Sequence, residues 1–478
     1  GPAGELRLWG VLRSVSRFRP CSLFHHCRGE LSPVADYCVR ISGRRAGPDS
    51  VLRAFLDGGR MNLKDSESLP SIPKAERWES LDLIRGCAVL GIFVMNIQAF
   101  AMPDAAYFNP TAYGDLNGGN YGVWLLSHLF FDSKFMAIFS ILFGAGIVLF
   151  TERAVKRERS PFWGHVRRNG LLILFGFLHA HLLWSGDILF SYGVCALLMY
   201  PFRRLSAKAL LRWSFGLLLV GSLISVSGGL SFQAWPAEDQ QEMVDFWNPG
   251  EEAIAEAVAI HQGTFTQWQP KVSEESWLMQ LEYLPTAIVW RVTGLMLLGM
   301  ALFKSGFLLG RGAKKTAKNL SILGGLIGLA MVAWGVWENE QIGFGPVETS
   351  FFLLSQWNYW GSLALALAYI GAILLWFGSP VLAGLKNRLM ACGRMAFTLY
   401  ILQTLLAILI FRGTGLGWFG ETSRLGQAGV VLGVWGLMLL LAPLWLSRFR
   451  FGPLEWLWRC LTYGQLLANR KPSGEGTA

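Results

Sequence analysis

The sequence predicts an all-α protein, a polytopic membrane bundle of about ten transmembrane helices with a small helical extracytoplasmic segment. Three observations predict it. Apolar residues make up 53% of the chain and charged residues only 15%, apolar runs long enough to cross a bilayer recur along it, and Lys and Arg collect in alternate loops.

Ten runs approach the span length of about 20 residues: 82–100, 133–150, 168–185, 187–202, 209–229, 284–303, 318–337, 352–377, 391–411 and 428–446. From an inside N-terminus, Arg153, Lys156, Arg157, Arg159, Arg167 and Arg168, then Arg203, Arg204 and Lys208, then Lys304, Arg311, Lys314 and Lys315, then Lys386 and Arg388, then Arg448 and Arg450 all fall on one side. The opposite loops hold only Lys271, Arg412 and Arg424. This bias predicts a bacterial inner (plasma) membrane protein with both termini cytoplasmic. Residues 231–280, acidic and helix-prone after Pro236, are expected as an extracytoplasmic helical cap over the outer mouth.

The net charge of +10 does not point to nucleic acid, because the cations are spread over short loops. The seven cysteines form no Cys-x-x-Cys pair and no zinc spacing, so no metal is expected. Most of the 55 glycines sit singly within runs, where they permit close helix packing and a homodimer. Residues 1–60 differ in kind, with ten Arg against five acidic residues, no Lys and no Met. They are expected to be disordered or to precede the true coding start at Met61, an Arg-rich targeting peptide being the rival reading. Residues 61–80 form a cytoplasmic lead-in, 81–465 the membrane domain, and 466–478 a disordered tail.

Ionisable groups inside spans are costly and mark functional candidates. Asp82 and Arg85 open the first span at helical spacing, and the Arg85 guanidinium suits a phosphate-bearing ligand arriving from the cytoplasm, with Arg167 and Arg168 beside it. The stretch "LHAHLLWSGDILFSYG", Leu178–Gly193, holds His179, His181 and Asp187 around a turn. His179 lies about 16 Å beyond Arg168 at helical rise, toward the outer side. His179 and His181 differ by about 200° around a helix, so one cavity takes only one of them, and His179 is favoured. A histidine beside an aspartate is the minimal general-base arrangement, and no Gly-x-Ser-x-Gly elbow accompanies it. Asn96, Asp132, Lys134, His181 and Arg291 are expected on the acceptor or oxyanion side, near His128. The plain alternatives are an interfacial ion pair for Arg85 and a cross-helix hydrogen bond for His179.

The blocks "ESLDLIRGCAVLGIFVMNIQAF", "KFMAIFSILFGAG", "RRNGLLILFGFLHAHLLWSGDILFSYG", "RVTGLMLLGMALFKSG", "GRMAFTLYILQT" and "FGPLEWLWRCLTYG" resemble, in order, those of the YeiB-like bacterial membrane family, domain of unknown function 418, over about residues 77–465. That family is similar to a wider superfamily of transmembrane acyltransferases, whose first span also opens "LDxxRG". The resemblance implies acetyl-CoA or another acyl-CoA as donor around Arg85, and transfer to an extracytoplasmic or membrane-embedded hydroxyl or amine acceptor. Those relatives carry their catalytic histidine on or just after the first span. Here that place holds Asn96 and "AFAMPDAAYFNP", so either His179 with Asp187 serves from another helix or the activity has been lost. The competing expectation is a transporter or exporter of a small amphipathic molecule, although no inverted repeat is visible. Membrane lipid, acyl-CoA and an acceptor are the expected partners.

Overall fold

A computed structural model describes residues 78–311 and 314–471, so the expectations for residues 1–60, most of the 61–80 lead-in and 472–478 lie outside the described residues. Two compact units divide the chain. Of the smaller only Trp235–Asp239 is described, and the described residues 78–234 and 240–471 belong to the larger. The large unit contains the candidate site.

Its helices are α1 (Glu79–Ala101), α2 (Ala105–Phe108), α3 (Gly118–Phe130), α4 (Lys134–Lys156), α5 (Pro161–Leu182), α6 (Leu189–Met199) and α7 (Ala207–Ser231). Next come α8 (Ala237–Trp247), which begins in the smaller unit, α9 (Glu251–His261), α10 (Phe265–Leu278), α11 (Val289–Lys304) and α12 (Lys314–Gln341). Last are α13 (Ser355–Phe377), α14 (Ala383–Arg394), α15 (Ala396–Phe411), α16 (Arg424–Arg448) and α17 (Pro453–Tyr463). Among the described residues the only strand-like pairing is an isolated antiparallel bridge between Phe449 and Arg470. Residues 466–471, expected to begin a disordered tail, pair back on the end of α16 through Arg450 N–H to Asn469 O at 2.8 Å and Lys471 N–H to Arg448 O at 2.9 Å.

Seven helical stretches are long and apolar enough to cross a membrane, or eight if the bent pair α14–α15 is one span. They coincide with eight of the ten expected runs. The runs at 168–185 and 187–202 correspond to α5 and α6. At 11 residues α6 is about 16 Å long, short of a bilayer core on its own, and α5 carries Arg167 and Arg168 in its first half. The segment expected as a helical cap to residue 280 continues without a break into α11. Residues Met279–Ile288 take wide π-type turns around Pro285, whose missing N–H cannot continue an ordinary helix.

Burial follows the bilayer's logic. Helices α7, α12 and α16 show apolar side chains such as Phe215, Leu326 and Leu432 on the outside, as lipid-facing helices do. Enclosed among the others lie α1 and α11, with Ile84, Val89 and Phe93 of one and Leu295, Met296 and Met300 of the other fully buried. Lipid tails supply no hydrophobic drive for one helix to join another, so close backbone approach must supply contact energy. Two reciprocal glycine crossings do so. A Cβ at Gly144 of α4 would stand 1.8 Å from Met296 O, and one at Gly299 of α11 would stand 1.8 Å from Ile141 O. A Cβ at Gly86 of α1 would stand 1.9 Å from Leu389 O, and one at Gly393 of α14 would stand 1.8 Å from Asp82 O.

The bend between α14 and α15 is 85°. It frees N–H groups at the start of α15, and these need partners. Glu455 of α17 provides them. Its Oε1 accepts from Phe397 N–H at 2.7 Å and Thr398 N–H at 3.0 Å, and its Oε2 accepts from the Thr398 hydroxyl at 2.5 Å.

Gly299→Ala is expected to force α4 and α11 apart, at an overpacking cost of about 1–3 kcal/mol. Gly436→Ala, where nothing lies within 4 Å of the added carbon, should cost nothing. Thermal unfolding of the two variants in detergent checks the difference.

Candidate functional site

The site is built around the sharp return between α5 and α6. Leu183 N–H and Trp184 N–H both donate to His179 O, ending α5. The chain then doubles back through Gly186, and Asp187 returns to the level of His179. His179 Nδ1 lies 2.8 Å from Asp187 Oδ1. The other carboxylate oxygen accepts from Phe190 N–H at 2.8 Å, capping the entrance to α6. This closeness requires Gly176. A Cβ there would stand 2.1 Å from Phe190 N and 2.8 Å from Asp187 Oδ2.

An ionised Asp187 can only accept, so Nδ1 donates to it and the neutral imidazole presents Nε2 as an acceptor. Nε2 lies 3.0 Å from Thr404 Oγ1 of α15. The Tyr400 ring stands 5.3 Å from the imidazole, and the Tyr400 hydroxyl accepts from Ile188 N–H at 3.4 Å. The result is a chain of carboxylate, imidazole and hydroxyl drawn from three elements. Only 2% and 1% of the His179 and Asp187 side chains are exposed. Helix α10 lies over the return, with the Ser276 hydroxyl bonded to Ala180 O at 2.9 Å, Gln269 Nε2 to His181 O at 2.9 Å, and the Ser185 hydroxyl to Glu275 Oε2 at 3.0 Å.

His181 points elsewhere, as its angle on the helix requires. It meets Ser273 Oγ at 2.9 Å and lies between Phe177 and Trp277. Asn96 is buried in α1. Asp132 and Lys134 join a second network. Lys134 Nζ donates to His128 O at 2.6 Å and Asn358 Oδ1 at 2.8 Å, while Asn358 Nδ2 donates to Asp132 Oδ2 at 2.7 Å. His128 Nδ1 lies 3.5 Å from the same carboxylate, and Tyr107 Oη lies 3.4 Å from its other oxygen. A small cavity opens onto this network, lined by Met95, Gln98, Tyr107, Ser127, His128 and Asp132, and the His128 and Asp132 side chains are 28% and 23% exposed. Arg291 is held against α13 by Tyr359 O at 2.9 Å and Ser362 Oγ at 2.6 Å, with its guanidinium over the Tyr359 ring. The two networks approach α1 through different residues: Phe100 packs at a tilt on Trp184 beside the dyad, whereas Met95 and Gln98 line the cavity.

At the opposite end of α1 the expected donor residues gather. Arg85 pairs with Asp82 at 3.0 Å and reaches Gly393 O at 3.5 Å. Arg168 stands 4.2 Å above the Trp458 ring, and Arg167 reaches Thr462 O at 3.5 Å. Arg459, on α17 beside Trp458, stands outside the donor residues expected from the sequence, which reads it with Glu455 as helix packing, yet its charge acts on both Arg168 and Arg85. Among the described residues neither Arg168 nor Arg459 has a salt bridge. The i, i+4 spacing of Glu455 and Arg459 was the available signal, and it reads equally well as helix packing. Thr404 carried no signal, since a lone threonine in an apolar helix is common.

Thr404→Val keeps the shape but leaves His179 Nε2 without a partner in a sealed site, an expected cost of about 1–3 kcal/mol. Thr404→Ser should retain most of that stability, and denaturant unfolding in detergent distinguishes the two.

The model of the family described as protein of unknown function (DUF418) matches residues 302–465. The chain is 33% identical over 404 residues to uncharacterized protein YeiB of Escherichia coli (strain K12), an alignment covering 81% of this chain and 96% of that one. It is 28% identical over 402 residues to uncharacterized protein YxaH of Bacillus subtilis (strain 168), covering 81% of this chain and 94% of that one. With the helical membrane architecture and a relative 33% identical over 81% of this chain, the chain belongs to the DUF418 family of polytopic membrane proteins.

Proposed function

We propose that this protein is a transmembrane acyltransferase that moves an acyl group from a cytoplasmic acyl-CoA to a hydroxyl or amine acceptor at the outer side or within the membrane. The observation that carries the reading is the sealed contact of 2.8 Å between His179 Nδ1 and Asp187, with Nε2 turned to a hydroxyl. In that state the carboxylate fixes the tautomer and steadies the imidazolium that forms when Nε2 takes a proton. The acceptor hydroxyl or amine takes the place of the Thr404 hydroxyl at Nε2, gives up its proton there and attacks the thioester carbonyl, and the thiolate leaves.

The donor's phosphates belong at Arg85, Arg167 and Arg168, about 16 Å from His179 along α5. That distance suits a donor whose phosphates and thioester are joined by an extended arm. Asp132, Lys134, His181, Asn96 and Arg291 serve the acceptor side. Lys134 is hydrogen-bonded within the second network and Arg291 to Tyr359 O and Ser362 Oγ, so backbone N–H groups and the Tyr400 hydroxyl are the better oxyanion donors. The reading counts ten crossings, with α5 and α6 as the third and fourth and both termini cytoplasmic in a bacterial inner membrane, because the Lys and Arg bias alternates only on that count.

The full chain reconstituted with acyl-labelled acyl-CoA and a membrane extract is expected to place label covalently on an acceptor. His179→Ala should lower the rate by about 10²–10⁴-fold, with Asp187→Asn also impaired. Full transfer by both variants, or accumulation of unmodified amphipathic substrate inside vesicles without transfer, would overturn the reading, the second outcome in favour of a transporter.

A further inference from the structure

Two arginines lie on the side where the charge bias expects few, and the structure treats them oppositely. Arg424 donates from its two terminal nitrogens to three carbonyls, Asp115 O at 2.9 Å, Pro110 O at 3.0 Å and Tyr113 O at 3.2 Å, and only its Nε is enclosed without a partner. These tie the start of α16 to the segment after α2. Arg412, directly after α15, is equally buried at 3% exposure, yet among the described residues its side chain makes no hydrogen bond and no salt bridge. Its Nη1 is wholly enclosed without a partner.

The guanidinium stands 5.4 Å from the Trp268 ring and 5.2 Å from the Phe419 ring. Trp268 is 1% exposed, and its Nε1, a donor only, is also enclosed without a partner. Two adjacent elements therefore each bury a donor with nothing to accept from it. Aromatic faces compensate part of the charge, but they accept none of these N–H bonds. Buried polar groups are otherwise almost always hydrogen-bonded, and an unpaired buried charge is the costliest exception. The charge of Asp104 acts on Arg412 and compensates part of it, but the two stay outside salt-bridge reach. Lys271, one turn along α10 from Trp268, adds a second cation facing Asp104 and is itself paired with Glu274 at 3.3 Å.

We propose that Arg412 and Trp268 form a binding site for an oxyanion, the carboxylate or phosphate group of a ligand that accepts from Arg412 Nη1 and Trp268 Nε1 together. Arginine suits such groups through its planar fork, and an indole N–H adds direction without charge. The site lies beside the catalytic return, because α10 carries Trp268 and covers residues 180–185, while Arg412 follows the helix that carries Thr404. It stands apart from the transfer reading: loss of acyl transfer leaves it intact, and loss of anion binding leaves the dyad intact. The oxyanion has two sources, a soluble ligand or an acidic lipid head group, which the test separates.

The full chain is purified in detergent and its unfolding temperature measured with inorganic phosphate or succinate at constant ionic strength, and native mass spectra are recorded from phosphatidylglycerol and phosphatidylcholine nanodiscs. A rise with phosphate or succinate identifies a soluble source, and retention of phosphatidylglycerol over phosphatidylcholine identifies a lipid one. Either supports the site if Trp268→Phe, which keeps the ring, weakens binding by about 10- to 100-fold and Arg412→Met abolishes it. A second readout needs no ligand. Removing an unpaired buried charge should leave the anion-free protein as stable as before or more so. The site is overturned if no anion binds in either format, if binding is indifferent to both variants, or if Arg412→Met destabilises the anion-free protein, which marks a cation satisfied by buried water.

Discussion

The architecture depends on backbone touching backbone where glycine removes the side chain between. In a bilayer a leucine gains little by leaving lipid for protein, so the distance of closest approach decides which helices associate. The pairs Gly144 with Gly299 and Gly86 with Gly393 hold α4 against α11 and α1 against α14. Gly176 repeats the device within one hairpin, and there it brings a carboxylate to an imidazole. The chemistry and the packing thus share one constraint, since the dyad distance is set by how closely Phe190 can lie on α5.

Burial then sorts the polar groups. A sealed histidine and aspartate gain about 1.5–3 kcal/mol from a charge-assisted hydrogen bond. Desolvation costs several kcal/mol per ion, so the pair does not stabilise the fold on its own account. Holding an imidazole in one orientation between a carboxylate and a hydroxyl is what the arrangement secures. The network of His128, Asp132, Lys134 and Asn358 shows the other solution, being more polar, more open to its cavity and shared among more side chains.

Much of this was legible in the sequence because periodicity and charge are local. The apolar runs gave the long helices, and the return at Gly186 gave the meeting of His179 with Asp187, since a short turn leaves two neighbouring residues little freedom. The angle between His179 and His181 correctly sent them to different partners. Thr404 was invisible because it lies 225 residues from His179, and which face of α15 meets α5 depends on the bend at Met395. Arg291 and Lys134 were placed near the reaction because they share its level in the bilayer. Level says nothing about azimuth: Lys134 is committed to the second network, and Arg291 to Tyr359 O and Ser362 Oγ of α13. The brevity of α6 was hidden by apolar residues that continue past its last helical turn.

The cap that Glu455 places on α15 has a consequence for how the molecule is made. Synthesis proceeds from the N-terminus, so α15 and its Thr404 emerge before α17 exists, and the freed N–H groups of Phe397 and Thr398 wait without their carboxylate. Glu455 can cap the bend only after the last helix has been made. A chain stopped short of residue 455 carries every residue of the carboxylate, imidazole and hydroxyl chain, yet it lacks the clamp that orients the third member. Completion of the polypeptide is therefore itself a step in assembling the site.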